Sequence, residues 1–349
     1  MRSLERRSLG AVAAAALLAL STGAAWAADK TVGVSWRHFQ EERWKIDEAG
    51  IQAALGQAGM TYVGADAQAD PQKQLTDIEG LISRGVDVLI ILAQDSAAIV
   101  PAFEKAKAEG IPTIAYDVPV DFADTLFISF DNIAVGRLMG EAMVKAQPSG
   151  NWVLIEGDPM MAIVDLFRQG QMQAVQPLVD KGDITIVAQQ GIENWKPDVA
   201  QTTMDQILTK VNNEVDAVLA MNDGMSGGVA AALAAQGLLG KVALSGQDGD
   251  IAALNRIAKG EATVSVWKNA RSLGEAAGAA AVELANGVAK EQVAGAAPYA
   301  TPTGQTQAAI LLEPIAITRD NLNLVIDSGW ATKEQVCQGV TADPPPACQ

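Results

Sequence analysis

The chain has 349 residues, 49% of them hydrophobic and 19% charged, with a formal net charge of −16. That length suits two domains and buries sizeable cores, while an acidic balance with no basic patch speaks against a nucleic-acid partner. One His and two Cys in the tail leave no material for a His-based triad or a multi-His metal site.

In chain order, Arg2, Arg6 and Arg7 precede an apolar run from Leu9 to Leu20, and Ala25-Trp26-Ala27 fits a small-x-small cleavage site. Residues 1–27 therefore read as a signal peptide cut near Ala27, which places the protein in the periplasm and leaves a mature charge near −18. The alternative is a membrane anchor, but the run is shorter than the roughly 20 residues a span needs. Arg6-Arg7 followed by Ser-Leu partly matches twin-arginine export; ordinary secretion reads equally well.

Thr31 to Trp36 is a strand and residues 43–57 a helix; Gly59-Met60 turns into the strand Thr61 to Ala65. Asp70-Pro71 sets a helix N-cap before proline at the first helical position, and that helix ends near Arg84-Gly85. Val86 to Asp95 is an apolar run stopping at polar residues. A helix to Glu109-Gly110 follows, then a second apolar run ending at Asp117. Leu126 to Asn132 is a further strand, expected to cross between lobes. The plan then repeats with strands Trp152 to Glu156, Ile184 to Gln189, Ala217 to Met221 and Val242 to Ser245. Apolar runs separated by helices read as parallel strands of an α/β fold. Thr263 to Trp267 and the Ala-rich helix Arg271 to Ala285 are surplus to the second set. They are expected to return the chain to the first lobe, with a crossing back near Ala309 to Leu312.

The expected architecture is α/β with two lobes, each a mostly parallel sheet flanked by helices: residues 28–131 with 267–308, and 132–266 with 309–336. A Pro-rich tail spans 337–349. Its Cys337 and Cys348 either close a small loop or remain free thiols; an oxidising compartment favours the disulfide.

In open α/β sheets ligands bind beyond the carboxyl ends of the strands. Those ends carry Trp36, Arg37 and His38, with Arg43 and Trp44 at the next helix start, then Gln94-Asp95, Asp117, Asp131-Asn132, Asn194-Trp195, Asn222-Asp223, Gln247-Asp248 and Trp267-Lys268. Carboxylates, amides and guanidinium groups bridge neighbouring hydroxyls, and Trp faces cover the C–H face of a pyranose, so the mixture suits a neutral polyhydroxylated ligand. Each residue also has a plainer explanation. A strand-end Asp is most often a cap or turn residue, a Trp is usually core, and a lone His lacks the partner that acid–base work needs. Asp66, Gln68, Asp70 and Gln72 alternate like calcium ligands, but Pro71 stands where an EF-hand loop needs Gly, so a loop entering a helix is the better reading. No Walker A, Gly-x-Gly-x-x-Gly or nucleophile-elbow sequence occurs, and no cofactor is expected. A glycosidase carboxylate pair is the enzyme reading that counting leaves open.

In this order the residues resemble the type I periplasmic sugar-binding proteins of ABC transporters, and within them the xylose-binding branch. The likeness runs through about Trp330. It is densest at Glu42-Arg43-Trp44, residues 84–89, Ala115-Tyr116-Asp117, residues 128–132, Leu166-Phe167-Arg168, Asn222-Asp223, residues 245–248 and Trp267-Lys268. The resemblance implies two lobes joined by three hinge strands that close on one monosaccharide, a xylose-like pentose or related aldose, for delivery to an ABC permease. It carries ring-hydroxyl contacts onto Arg43, Asn222, Asp248 and Lys268, with Asp117 close by; Trp195 and Trp44 would wall the pocket, and Trp36, where strand one differs from the branch, is a further candidate. The expected state is a non-enzymatic monomer.

Two positions depart from the branch's pattern. Val118 stands where an arginine follows Tyr-Asp, and Met161-Ala162-Ile163 where a polar Asp-Asn-Asn run precedes Leu-Phe-Arg. The departures keep a deoxysugar, a polyol or an aromatic compound held by Trp36, Trp195 and Trp267 as alternative ligands. Presentation to a chemoreceptor or sensor kinase is the alternative role. Sugar-responsive repressors share the two-lobed core, but a DNA-binding headpiece would replace the export signal.

Overall fold

A computed structural model describes residues 30–301 and 303–349; the expected signal peptide lies outside them. The first half alternates β1 (Thr31–Trp36), α1 (Arg43–Gln57), β2 (Thr61–Asp66), α2 (Pro71–Ser83), β3 (Val88–Ile91), α3 (Val100–Ala108), β4 (Thr113–Tyr116) and β5 (Leu126–Phe130). The second runs α4 (Asn132–Ala146), β6 (Gly150–Glu156), α5 (Ile163–Lys181), β7 (Ile184–Gly191), α6 (Pro197–Lys210), β8 (Ala217–Ala220), α7 (Asp223–Ala235), β9 (Ala243–Gln247), α8 (Ile251–Lys259) and β10 (Val264–Trp267). It closes with α9 (Ala270–Ala285), β11 (Ala297–Ala300), β12 (Thr306–Leu312), β13 (Ile315–Ile317), α10 (Asn323–Asp327) and α11 (Lys333–Cys337).

Two sheets result. One has the order β11-β12-β5-β4-β3-β1-β2, the other β13-β10-β9-β8-β6-β7. All neighbours pair in parallel except the edge pairs β11–β12 and β10–β13. The central strands are buried on both faces; Val88-Leu89-Ile90-Ile91 has no accessible residue, the pattern of a parallel strand covered by helices on each side.

The strand-end residues start the helices. Asp70 Oδ1 accepts from the backbone N–H of Gln72 and Lys73 ahead of Pro71, and Asp131 Oδ1 accepts from Ala134. Asn222 and Asn269 cap α7 and α9 in the same way. Each cap satisfies a donor that the first helical turn leaves open. The expected strand at 126–132 accordingly stops at Phe130, because Asp131 is already a cap.

Three connections join the sheets. After β5 the chain enters α4, which packs on α5 and on β8, β9, β10 and β13. After β10 it enters α9, which packs on α1 and against β3, β4 and β5. After β12 it passes to β13. Residues 309–312, expected in the second lobe, pair with β5 in the first sheet, so this crossing follows Leu312. Strand pairing overrides the sequence pattern there.

Cys337 and Cys348 are disulfide-bonded, and α11 rests on α8. The bond closes a loop with a sequence separation of 11, for which loop entropy is worth roughly 2–3 kcal/mol. Replacing both cysteines with serine should lower the melting temperature by several degrees; an unchanged calorimetric melt would show that the tail does not hold α8.

Candidate ligand-binding site

Polar side chains from both lobes meet at one cleft whose cavity volume is about 30 Å³. The first lobe contributes Arg37, Glu41, Arg43, Trp44 and Asp117. Met161, Ile163, Phe167, Trp195, Asn222, Gln247, Asp248 and Lys268 close it from the other side.

Arg43, at the first turn of α1, is the hub. Its Nε donates to Asp47 Oδ2 (3.2 Å), one terminal nitrogen to Asp248 Oδ1 (3.1 Å) and the other to Asp117 Oδ1 (3.4 Å). Lys268 Nζ adds ion pairs to Asp248 (3.3 Å) and Asp117 (3.7 Å). Arg43 and Asp248 thus tie the lobes together across the cavity. Burial works to lower the Arg43 pKa, but Asp117, Asp47 and Asp248 outweigh it and hold the guanidinium well above its ordinary value. Burial raises Asp117 less than Arg43 and Lys268 lower it, so its carboxyl stays below the usual range. Asp47 is pushed up to about 6 by burial, against the pull of Arg43 and of the Tyr116 hydroxyl, which donates to it.

The backbone aims these groups. Asp117 (φ 57°), Trp195 (φ 56°) and Asp248 (φ 102°) lie in the left-handed region that non-glycine residues seldom adopt. Asp117 is held there by its N–H to Ile128 O (2.8 Å) and by Ser129 Oγ donating to its carbonyl (2.8 Å), Asp248 by its N–H to Val266 O (2.9 Å). Such strain gathers where side chains must point into a site. Asn222 spends its Oδ1 on capping α7 through Met225 N (2.8 Å) and turns its amide to the cavity. Trp195 Nε1 donates to Met161 Sδ (3.0 Å) and its ring stands edge-on to Phe167. Position 157 must be glycine for this: a Cβ there would lie 2.0 Å from the Trp195 ring. Trp44 carries the Arg43 guanidinium 4.3 Å from its ring centroid, and its Nε1 donates to Glu41 (2.7 Å).

Seven of the eight expected contacts, Arg43, Trp44, Asp117, Trp195, Asn222, Asp248 and Lys268, therefore line one cavity. Trp36 does not. Its Nε1 donates to Tyr62 Oη (2.9 Å) and its ring packs on Phe39, Trp44 and Tyr116, because β1 alternates and turns Trp36 under the sheet. Trp267 packs on Trp330, so the three tryptophans do not form an aromatic sandwich. Of the departures from the family pattern, Met161 and Ile163 line the cavity; Val118 is buried away from it, and Ala162 faces the other lobe, its N–H donating to Ser96 Oγ (3.1 Å). Of the remaining lining residues, Arg37 and Gln247 are among the strand ends and Phe167 lies within the resemblance, but the sequence assigns none of them a contact; Glu41 is not singled out. Arg37 follows Trp36 by one residue, and strand alternation is the signal that separates them.

His38, the chain's sole histidine, is kept neutral: burial, then Arg37 and Lys196, lower its pKa to about 3. Among the described residues no group of three or more His, Cys, Asp or Glu is placed to hold a metal ion, and no helix is long and apolar enough to cross a membrane.

Beside the cavity, Asp250 is pushed up to about 7 by burial, then by Asp248 and Glu42, with Glu41 adding repulsion and Arg43 pulling the other way. Its N–H donates to the buried Asp223, a second carboxyl raised by burial and by Asp250. The folded protein keeps a proton that the unfolded chain releases near pH 4, so stability falls as pH rises from about 4 to 7. Asp250→Asn should reduce that decline: melting curves at pH 5 and 8 should show the variant gaining on wild type at pH 8. A gain of equal size at both pH values would assign the decline elsewhere.

Two sheets of mostly parallel strands, crossed three times by the chain and gripping one cavity between their carboxyl edges, define a two-lobed ligand-binding protein. Residues 32–289 match the periplasmic binding protein domain, and the chain belongs to that family. A D-xylose-binding periplasmic protein of Haemophilus influenzae is 36% identical over 91% of this chain and 96% of its own length. The Escherichia coli protein of that description is 40% identical over 77% and 82%. A carbohydrate transporter solute-binding protein from Chloroflexus aurantiacus, solved with D-glucose, superposes with a TM-score of 0.80 at 26% identity, covering 88% of this chain and 98% of that one.

Proposed function

We propose that the protein captures a monosaccharide, a xylose-like pentose or related aldose, by closing its lobes, and delivers it to an ABC permease. The observation that carries this reading is the buried Arg43–Asp117–Asp248–Lys268 lattice, built from both lobes inside one cavity. Carboxylates and cations so placed bridge vicinal hydroxyls, and a sugar that satisfies them in the closed state favours closure. Arg43, Asn222, Asp248 and Lys268 would hold ring hydroxyls with Asp117 beside them, while Trp195 and Trp44 cover the ring. The relatives' xylose- and glucose-binding descriptions support the ligand class.

In this reading the lobes divide at the three crossings and hinge there. The protein works as a monomeric binding protein without catalytic activity, after export to the periplasm and removal of the first 27 residues. Isothermal titration against pentoses, hexoses, deoxysugars and polyols tests it. Saturable binding of an aldose at about 1:1 is expected; heat from none of them overturns the sugar assignment.

A further inference from the structure

The cavity holds a second guanidinium that the lattice does not use. Arg37 is 1% exposed, yet it has no ion pair among the described residues. Its Nε donates to the Gln94 amide oxygen (3.1 Å), one terminal nitrogen donates to Met161 Sδ (2.8 Å), and the other, Nη2, is buried with no partner. Arg43, by contrast, has three carboxylates. Gln247, at the end of β9, is 2% exposed, and its Oε1 is likewise buried and unpartnered. Both side chains line the cavity. Buried polar groups are almost always satisfied, and a thioether is a weak acceptor for a charged donor.

We propose that Arg37 and Gln247 are specificity-determining residues, Arg37 Nη2 donating to one ligand oxygen and Gln247 Oε1 accepting from one ligand hydroxyl. The inference rests on the sugar reading above and narrows it. The ligand must present an acceptor on the β1 side of the cavity and a hydroxyl donor on the β9 side. A ring bearing hydroxyls at both places does so. A carboxylate would serve Arg37 but cannot donate to Gln247. Arg37 reaches the cavity from the first lobe and Gln247 from the second, so the pair reads the ligand only when the lobes meet.

The test titrates wild type, Arg37→Met and Gln247→Leu with the aldose that binds best and its single-deoxy analogues. In wild type, two different deoxy analogues should each lose about 10- to 100-fold in affinity. Arg37→Met should bind the parent sugar more weakly by a similar factor and be indifferent to loss of one of those hydroxyls. Gln247→Leu should be indifferent to loss of the other. That pairing of variant with hydroxyl separates ligand contact from a structural role, which would weaken all analogues alike. The proposal is overturned if both variants keep wild-type affinity or if every deoxy penalty persists in both. Absence of binding by any sugar to wild type would instead overturn the sugar assignment, and the proposal with it.

Discussion

Asp248→Ala should reduce sugar affinity by at least about 100-fold while moving the melting temperature of the ligand-free protein by no more than a degree or two. Asp248 Oδ1 is where Arg43 of the first lobe and Lys268 at the second crossing converge, at 3.1 and 3.3 Å. Truncating one member of a buried ion-pair network costs roughly 3–5 kcal/mol, because the remaining charges stay buried without a partner. In the proposed capture cycle that cost would fall mainly on the closed state: with the lobes apart, water would reach Arg43 and Lys268, and the unliganded protein would lose little. Asp248→Asn is the companion variant: it keeps the shape and removes the charge, so its difference from wild type measures the charge. Calorimetric titration with parallel melting curves decides it. Wild-type affinity in either variant would remove Asp248 from the site.

The second large effect is on stability and lies on the far side of the same cavity. Helices α4 and α5 cross with Gly136 against Gly170. A Cβ on Gly170 would stand 2.0 Å from the Ile133 carbonyl oxygen and 2.6 Å from Arg137 N; one on Gly136 would stand 2.0 Å from Phe167 O. These are backbone atoms of the facing helix, with no flexible side-chain end to yield. Gly170→Ala should therefore force the helices apart at a cost of about 3 kcal/mol, or roughly 6–12 °C in melting temperature. Gly80→Ala is the control. Nothing lies within 4 Å of a Cβ there, on the surface of α2, so removing glycine's helix penalty should leave stability unchanged or raise it by about 1 kcal/mol. Because α5 begins at Ile163, which lines the cavity, the Gly170 variant should also bind ligand more weakly than its stability loss alone accounts for.

Much of this was legible in the amino-acid pattern, for local reasons. The helix expected at 43–57 is α1, and the Asp70-Pro71 start is an N-cap, because capping and periodicity act within a few residues. The buried strands announced themselves as continuous apolar runs. The edge strands did not: Ala297–Ala300 is mostly exposed and lacks apolar alternation, and Ile315–Ile317 has three residues, so both exist through the neighbours they pair with. The site was legible as a set of strand ends, since topology brings those ends together whatever the side chains are. Which of two adjacent residues faces the cavity was harder. Trp36 looks like a sugar platform, but it and Arg37, the residue just after β1, turn opposite ways, and the packing partners Tyr62 and Tyr116 show that Trp36 goes under the sheet.

The three crossings also govern how the chain comes together in time. Strand β5 ends at Phe130, yet its neighbour β12 arrives only at residues 306–312, after the whole core of the second sheet has been made. Until then β5 carries a free hydrogen-bonding edge of five buried apolar and small residues, the kind of edge that recruits other chains. The first sheet, although the first to be synthesised, is thus completed only after the core of the second. Pairings this distant in sequence close slowly. A chain cut short before residue 306 would hold every side chain that lines the cavity and still lack the strand that seals its first sheet.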